Sequence, residues 1–248
     1  MLGQSRIEVP VGKRKAKTLS SSDRLTLAKQ RTNELVNHMI SLIALHESNQ
    51  VILKTDVLSR QIPRSYAAHA FNNFRFSMAG FEVVRLCAFW EPPDPQDASI
   101  PNVLNLFDDP EVRENIRTGI TGGQSRPRIS EEAYVSILEE MAREIDALID
   151  QNLARARAVE SSPRLKSVRN HRHKFLAHNL NKTRAEEAGP VASMKNNDVD
   201  WLFAETEAIV DSLHHGLNRT GFDWPGSHAI SKRQAESLWH GTKFEGLK

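Results

Sequence analysis

The sequence predicts an all-α protein built as a helical bundle. Apolar residues recur every three or four positions over several long segments, which is the spacing of one helix face. No segment shows the alternation of apolar and polar residues, closed by hairpin turns, that predicts strands. With 248 residues and a hydrophobic fraction of 39%, the chain can bury a sizeable core. These observations favour one helical domain with appendages.

The N-terminal part divides into a tail and a long helix. Residues 1–22 are predicted to be a disordered basic tail. Ser20 to Asp23 supply N-cap candidates, and the apolar spacing after them predicts a helix of about 23–48. The apolar residues of 51–58 are expected to begin the next element.

The middle of the chain predicts a second long helix and a short one. Apolar spacing predicts a helix from Tyr66 to Trp90, and the prolines that follow end it. Ser99 is expected to cap a short helix with Pro101 in its first turn. Gly119 to Pro127 is predicted to be a turn-rich loop. We predict core packing for five aromatic residues: Phe71, Phe74, Phe81, Trp201 and Phe203.

Three more helices are predicted after this loop. Ser130 caps an amphipathic helix whose apolar stripe comprises Tyr134, Ile137, Leu138, Met141, Ile145, Leu148 and Ile149. Ser161 and Ser162 are predicted to end this helix. A helix of about 163–180 follows, and residues 181–197 form a loop. Asn197 or Asp198 caps the last core helix. The predicted domain therefore spans 23–218, and 219–248 form an irregular C-terminal extension with room for a short helix over the bundle.

The charge is unevenly distributed although the net charge is only +2. Residues 1–31 carry a surplus of six positive charges, and residues 152–184 carry a surplus of eight. Local positive charge of this kind suits a polyanion such as RNA or DNA, although a solvated helix face and a floppy tail would show it too.

Several classes of protein are excluded by composition. The single cysteine, Cys87, rules out a disulfide framework and a four-cysteine zinc site. No apolar run is long enough for a transmembrane helix, and the N-terminus lacks the apolar core of a secretory signal. We therefore expect a soluble cytoplasmic protein without a membrane partner.

The segment Arg169 to Asn179 carries the most unusual chemistry. On a helix wheel at about 100° per residue, Arg172 falls in the middle of the apolar face, and His178 falls at its edge near His171 and Lys174. A buried arginine needs an anion, and the guanidinium fork binds a phosphate well. Histidine titrates near neutrality and can transfer a proton.

Structural roles remain open for the same residues. Arg172 could pair with Glu140 or Glu144 of the preceding helix, and His178 could cap its own helix. A zinc site is disfavoured because His171 and His173 diverge around the helix and His178 lies too far along it; the adjacent His214 and His215 diverge as well. We expect no metal and no cofactor.

The motif resembles the Arg-x(4 to 6)-His signature of the HEPN superfamily, and in particular of its abortive-infection, AbiU-type proteins. The matching residues are Arg172, Lys174, Ala177 and His178, in the pattern Arg-x-Lys-x-x-Ala-His. A segment Ser-Ile-Pro-x-Val-Leu-x-Leu, from Ser99 to Leu106, also follows a long helix as in that group. The resemblance covers roughly residues 23–218 and implies a HEPN-like bundle.

The resemblance implies a metal-independent endoribonuclease toxin of phage defence or of a toxin–antitoxin system. His178 would move a proton at the ribose 2′-hydroxyl or at the leaving oxygen, and Arg172 would hold the scissile phosphate. His173 would orient or assist, and the product would be a 2′,3′-cyclic phosphate. The family further implies a homodimer whose two motifs meet, with an antitoxin or other regulatory partner.

The residues themselves add phosphate contacts from His171, Lys174 and Arg169. The alternative function is a catalytically inactive helical module that binds RNA or a partner protein. The enzyme predicts that Arg172 and His178 lie in an open, positive cleft near a two-fold interface. The module predicts that a carboxylate holds Arg172 without a path to solvent.

Overall fold

The computed structural model describes residues 19–62, 66–94, 96–121 and 130–241, and within these ranges the chain is helical without strands. The α-helices are α1 (Ser21–Lys54), α2 (Val57–Gln61), α3 (Tyr66–Ala88), α4 (Ile100–Phe107), α5 (Pro110–Thr121), α6 (Glu131–Glu160), α7 (Pro163–His171), α8 (Arg184–Ala188), α9 (Asn196–Asn218) and α10 (Trp224–Gly241). A π-helical segment (Arg172–Ala177) continues α7. The predicted all-α class is confirmed. In these ranges no helix is long and apolar enough to cross a bilayer.

The serines predicted as N-caps do begin helices. Ser20, Ser99 and Ser130 each accept a hydrogen bond from a backbone N–H in the first turn of α1, α4 and α6, over distances of 3.1, 3.3 and 3.3 Å. Such a bond satisfies one of the four N–H groups that a helix start leaves unpaired. The cap positions therefore fix where three helices start.

The core is built around α1, which contacts α3, α4, α5, α9 and α10. Its side chains at Leu35, Met39, Leu42 and Ile43 are fully buried. Trp90 is buried at the end of α3, and its indole N–H donates to Thr206 of α9 over 2.9 Å. The core therefore fixes the position of the residues that directly follow α3, and the motif contacts these residues.

Several element boundaries differ from the predictions. The first helix extends to Lys54, and α2 follows it, because the apolar residues of 51–58 continue α1 before the chain turns. Helix α5 was not predicted, and it reaches Thr121 within the segment expected to be a loop, most of which lies outside the described residues. Of the tail predicted over residues 1–22, residues 1–18 lie outside the described residues. Helix α1 already begins at Ser21, within the range predicted for the tail.

The C-terminal half departs from the predictions in three places. The loop expected over 181–197 contains α8, and α9 begins two or three residues earlier than expected. Its N-cap is Lys195, whose N–H donates to Asp198 over 2.8 Å, so that neither Asn197 nor Asp198 is the cap. The extension predicted to be irregular contains α10, an 18-residue helix that packs along α1. The short helix allowed for there is thus a full element.

Two of the predicted core aromatics lie at the surface instead. Phe74 and Phe81 are 42% and 55% exposed, whereas Phe203 is buried as predicted. The core side of α3 is formed by Val83, Leu86 and Cys87, which places Phe74 and Phe81 on its outer side. The helical period was correct, but its buried side was not.

Candidate active site

The helix that carries the motif is anchored in the core only at its beginning. Ser162 caps α7 by accepting the N–H of Leu165 over 3.1 Å, and Leu165 and Val168 are fully buried. From Arg172 the winding becomes π-helical, and the N–H of Leu180 closes the segment on the carbonyl of Lys174 over 2.8 Å. The wheel used for the prediction therefore fails after His171, and Phe175, expected on the buried face, is 58% exposed.

The π-helical winding brings two predicted site residues together. In a π-helix, residue i bonds to i+5, so side chains five positions apart lie on nearly the same side. The imidazoles of His173 and His178 stack almost parallel, with an interplanar angle of 2° and ring centroids 6.3 Å apart. In an α-helix they would point about 140° apart. Both side chains are exposed.

Arg172 is held by a residue of the linker that follows α3. Its Nη1 donates to the carboxylate of Glu91, and the arginine side chain keeps 24% of its surface exposed. One turn earlier, Arg169 donates to the backbone carbonyl of Trp90. The predicted ion pair of Arg172 with Glu140 or Glu144 of α6 is therefore wrong in its partner, because the carboxylate belongs to Glu91 in the linker that follows α3.

The charges around this end of α3 are coupled. Burial opposes the charge of Arg172, but the carboxylate of Glu91 outweighs it and raises the pKa of the guanidinium. Burial, followed by the positive charge of Arg172, lowers the pKa of His173, and His178 and Arg169 add to this effect while Glu91 opposes it. His173 is therefore predominantly neutral at pH 7.

The only cysteine lies directly behind the arginine. Cys87 is fully buried on α3, and burial raises the pKa of its thiol to about 11, although the neighbouring Arg172 opposes this shift. A thiol in this state is an inert packing group at neutral pH. The guanidinium of Arg172 thus contacts the carboxylate of Glu91 on one side and the buried thiol of Cys87 on the other.

A polar clip joins the motif to the residues that follow it. Glu186 of α8 accepts hydrogen bonds from Asn170 and Lys174 over 3.0 Å each, and from the N–H of Thr183 over 3.1 Å. Thr183 in turn donates to the side chain of buried Asn170. The bonds from Asn170, then from Lys174 and Thr183, lower the pKa of Glu186 to about 2. The clip therefore fixes the chain on both sides of His178.

The predicted phosphate contacts are engaged within the protein. Lys174 is paired with Glu186, Arg169 bonds to Trp90, and His171 packs against the ring of Phe175 at 5.1 Å with a pKa lowered by burial. The structure thus places His173 and His178 together, with Arg172 beside them in the chain. Within the described residues, no group of three or more His, Cys, Asp or Glu side chains could hold a metal ion.

Sequence reasoning missed three residues of this site. Glu91 lies 81 positions before its arginine, and no spacing rule connects such distant residues. Its place between a helix end and two prolines was the one signal that its position is fixed. Thr183 and Glu186 form a capping box, Thr-x-x-Glu, which the sequence does display.

Comparison with known protein families places the chain in a family. The family model of the HEPN AbiU2 proteins, described as AbiU2, matches residues 28–236. This span runs from α1 into α10 and includes the arginine, both stacked histidines and the clip. No curated protein and no solved structure matches the chain.

Proposed function

The chain belongs to the AbiU2 family of HEPN proteins, a family of abortive infection, and on this premise we propose that it is a metal-independent endoribonuclease. Its substrate would be RNA, whose ribose 2′-hydroxyl supplies the nucleophile. The activity would serve as the toxin of a phage-defence or toxin–antitoxin system. The observation that carries the proposal is the stacked pair of His173 and His178 next to Arg172.

The three side chains have complementary tasks in this reaction. One imidazole takes the proton of the 2′-hydroxyl while the 2′ oxygen bonds to phosphorus, and the other gives a proton to the 5′ oxygen as its bond to phosphorus breaks. His173, with its lowered pKa, is neutral and suited to accept a proton. Arg172 neutralises the charge that develops on the phosphate oxygens. The products are a 2′,3′-cyclic phosphate and a free 5′-hydroxyl.

A second copy of the chain belongs to this proposal. Phe81 of α3 and Phe175 and Leu176 of the π-helical segment are exposed beside the motif, although large apolar side chains favour burial. The Leu176 side chain approaches Gly80, so α3 and the π-helical segment form one continuous surface there. A homodimer that buries this surface would bring two motifs together. An antitoxin or other regulator would act on the dimer.

The decisive experiment measures RNA cleavage in EDTA. Arg172→Ala and His178→Ala should each abolish the cyclic-phosphate product while the helical circular-dichroism signal stays intact. His215→Ala, which removes an exposed histidine of α9, serves as the matched control and should cleave as wild type. Cleavage by both motif variants at the wild-type rate would eliminate the proposal.

The alternative is a catalytically inactive module that binds RNA or a protein. It is favoured by the carboxylate of Glu91, which already occupies part of the Arg172 guanidinium. Such a module would bind RNA with an affinity that falls steeply with salt concentration, and it would yield no cyclic-phosphate product. The same assay therefore separates the two functions.

A further inference from the structure

The first half of α6 has an apolar face that the described residues of the bundle cover only in part. The stripe predicted for this helix is buried at Ile145 and Ile149, but Leu138 and Met141 on the same line are only half-buried and do not belong to the core cluster. At the edges of the face, Val135 and Ile137 are 42% and 45% exposed. The prediction of a core-facing stripe therefore holds only for the second half of α6.

The reason is that the C-terminal end of α9 lies beside the middle of α6 and does not reach its N-terminal half. The two helices run antiparallel, since Arg155 bonds to Glu205 over 2.6 Å and Asn152 to Ser212 over 2.8 Å. Leu148 then lies against Gly216, where an added Cβ would be 2.8 Å from its Cδ2, and α9 ends two residues later. Residues 131–144, the acidic arm, thus extend about 20 Å further.

Glutamates border both edges of this apolar face. On a wheel at about 100° per residue with Ile145 at zero, Val135 falls near 80° and Ile137 near 280°. Glu132 and Glu139 fall at about 140° and 120°, next to Val135, and Glu144 and Glu140 at about 260° and 220°, next to Ile137. All four are exposed, and none forms an ion pair with a described residue. The arm has one positive side chain, Arg143.

We propose that the acidic arm binds one α-helix of a partner protein, and that this helix carries an apolar stripe flanked by lysines or arginines. Apolar seams with charged flanks are the arrangement by which paired helices select partners of opposite charge. RNA is repelled by the four glutamates, and so is the arm of a second copy.

The test uses two designed 21-residue peptides that share one leucine and isoleucine stripe. One peptide has lysine and the other glutamate on both flanks, and binding to the full-length protein is followed by fluorescence anisotropy. The lysine peptide should bind about tenfold more tightly than the glutamate peptide, the value for a few exposed ion pairs acting together. The difference should shrink in 0.5 M salt because exposed charges are screened.

Three variants decide where and how the peptide binds. Glu132→Lys/Glu139→Lys/Glu140→Lys/Glu144→Lys should reverse the preference toward the glutamate peptide. Val135→Ser/Ile137→Ser should weaken binding of both peptides, whereas Ile230→Ser, which changes an exposed isoleucine of α10, should leave it unchanged. Equal binding of the two peptides to wild type, or an unchanged preference after charge reversal, overturns the proposal.

A second copy is the competing occupant, and sedimentation identifies it. If Val135→Ser/Ile137→Ser converts a wild-type dimer to monomers, the arm is a self-interface and the proposal is wrong. If the oligomeric state is unchanged, the arm is available to another protein. Cleavage of RNA plays no part in either readout, so this inference and the proposed nuclease activity stand or fall separately.

Discussion

At the residue scale, the ion pair between Arg172 and Glu91 determines how the guanidinium is oriented and how much positive charge it offers to a phosphate. The sequence identified the arginine as a residue that needs an anion, and the structure supplies one from the linker after α3. The carboxylate orients the guanidinium, but it also offsets the positive charge that a phosphate would meet. The two effects act on different steps, since orientation affects the rate and charge affects binding.

Replacing Glu91 should separate these steps. Glu91→Ala should lower the RNA cleavage rate about tenfold, because the arginine loses the bond that positions it. RNA binding should stay equal or become tighter, because a negative charge has left the site. Single-turnover cleavage and binding to a non-cleavable 2′-deoxy RNA measure the two effects. Glu91→Gln, which keeps an acceptor oxygen, should recover part of the rate.

Asp97→Ala is the matched control for this prediction, because it removes an exposed carboxylate from the same linker. It should leave both rate and binding unchanged. An increase in cleavage rate for Glu91→Ala would contradict a positioning role and would show that the carboxylate blocks the site.

At the element scale, the π-helical segment is what a pattern-based prediction could not supply. A wheel with a fixed angle per residue describes α7 up to His171 and gives wrong directions from Arg172 onward. The change of winding depends on contacts beyond the helix, including the clip of Asn170, Thr183 and Glu186. Local propensity carries no such information.

Removing one residue should return the segment to α-helical winding. Deleting Ala177, which is exposed, would leave the two histidines four positions apart and would shift His178 relative to Arg172. We expect cleavage to fall about 100-fold, a typical cost of displacing a reacting group by about 1 Å. The thermal midpoint and helical content should change little. Ala177→Ser keeps the length and should retain activity; an active deletion variant would contradict the role of the winding.

Another element-scale feature is the docking of α10 through His228. Its two ring nitrogens bond to Glu47 of α1 over 2.6 Å and to Glu207 of α9 over 2.7 Å. Carboxylates only accept, so both nitrogens must donate and the ring is an imidazolium. Burial alone would lower the pKa of His228, but the bonds to Glu47 and Glu207 outweigh it and raise the pKa.

This clamp makes the docking of α10 dependent on pH. Since the pKa of His228 is higher in the folded state, its stabilisation is complete below pH 6.5 and is lost as the pH rises through the folded value. The difference in thermal midpoint between wild type and His228→Gln should therefore be largest at pH 6 and should narrow toward pH 9. A difference that grows with pH would refute the clamp. His240→Gln, on the same helix, provides the baseline.

At the scale of the whole molecule, the sequence predicted the all-α class, three caps and most of the long helices. These features depend on local spacing and on single cap residues, which a sequence displays directly. It did not predict α10 as a full element, because the helix packs on α1 through a few buried residues such as Trp224 and Ala235. Nor could it tell which side of α3 faces the core, since the side that stays at the surface carries large apolar residues too, namely Phe74, Phe76 and Phe81.

The exposed side of α3 leads to a prediction about assembly. If the surface of Phe81, Phe175 and Leu176 forms the proposed two-fold interface, Phe81→Glu should convert the dimer to a monomer and abolish cleavage. Sedimentation velocity and the cleavage assay measure the two outcomes on the same preparation. Phe76→Glu, which charges an exposed phenylalanine elsewhere on α3, is the control for charge alone. A monomeric wild type that cleaves RNA would rule out this role of the dimer.

The burial of Cys87 behind Arg172 has a practical consequence. Since Cys87 is the only cysteine of the chain and is buried, a colorimetric disulfide reagent can react only when the packing around this thiol opens. The rate of colour development in the native protein therefore measures how often the packing around Cys87, next to Arg172, opens. A slower reaction in the presence of an oligonucleotide would show that the bound strand stabilises this part of the fold, without any label having been attached.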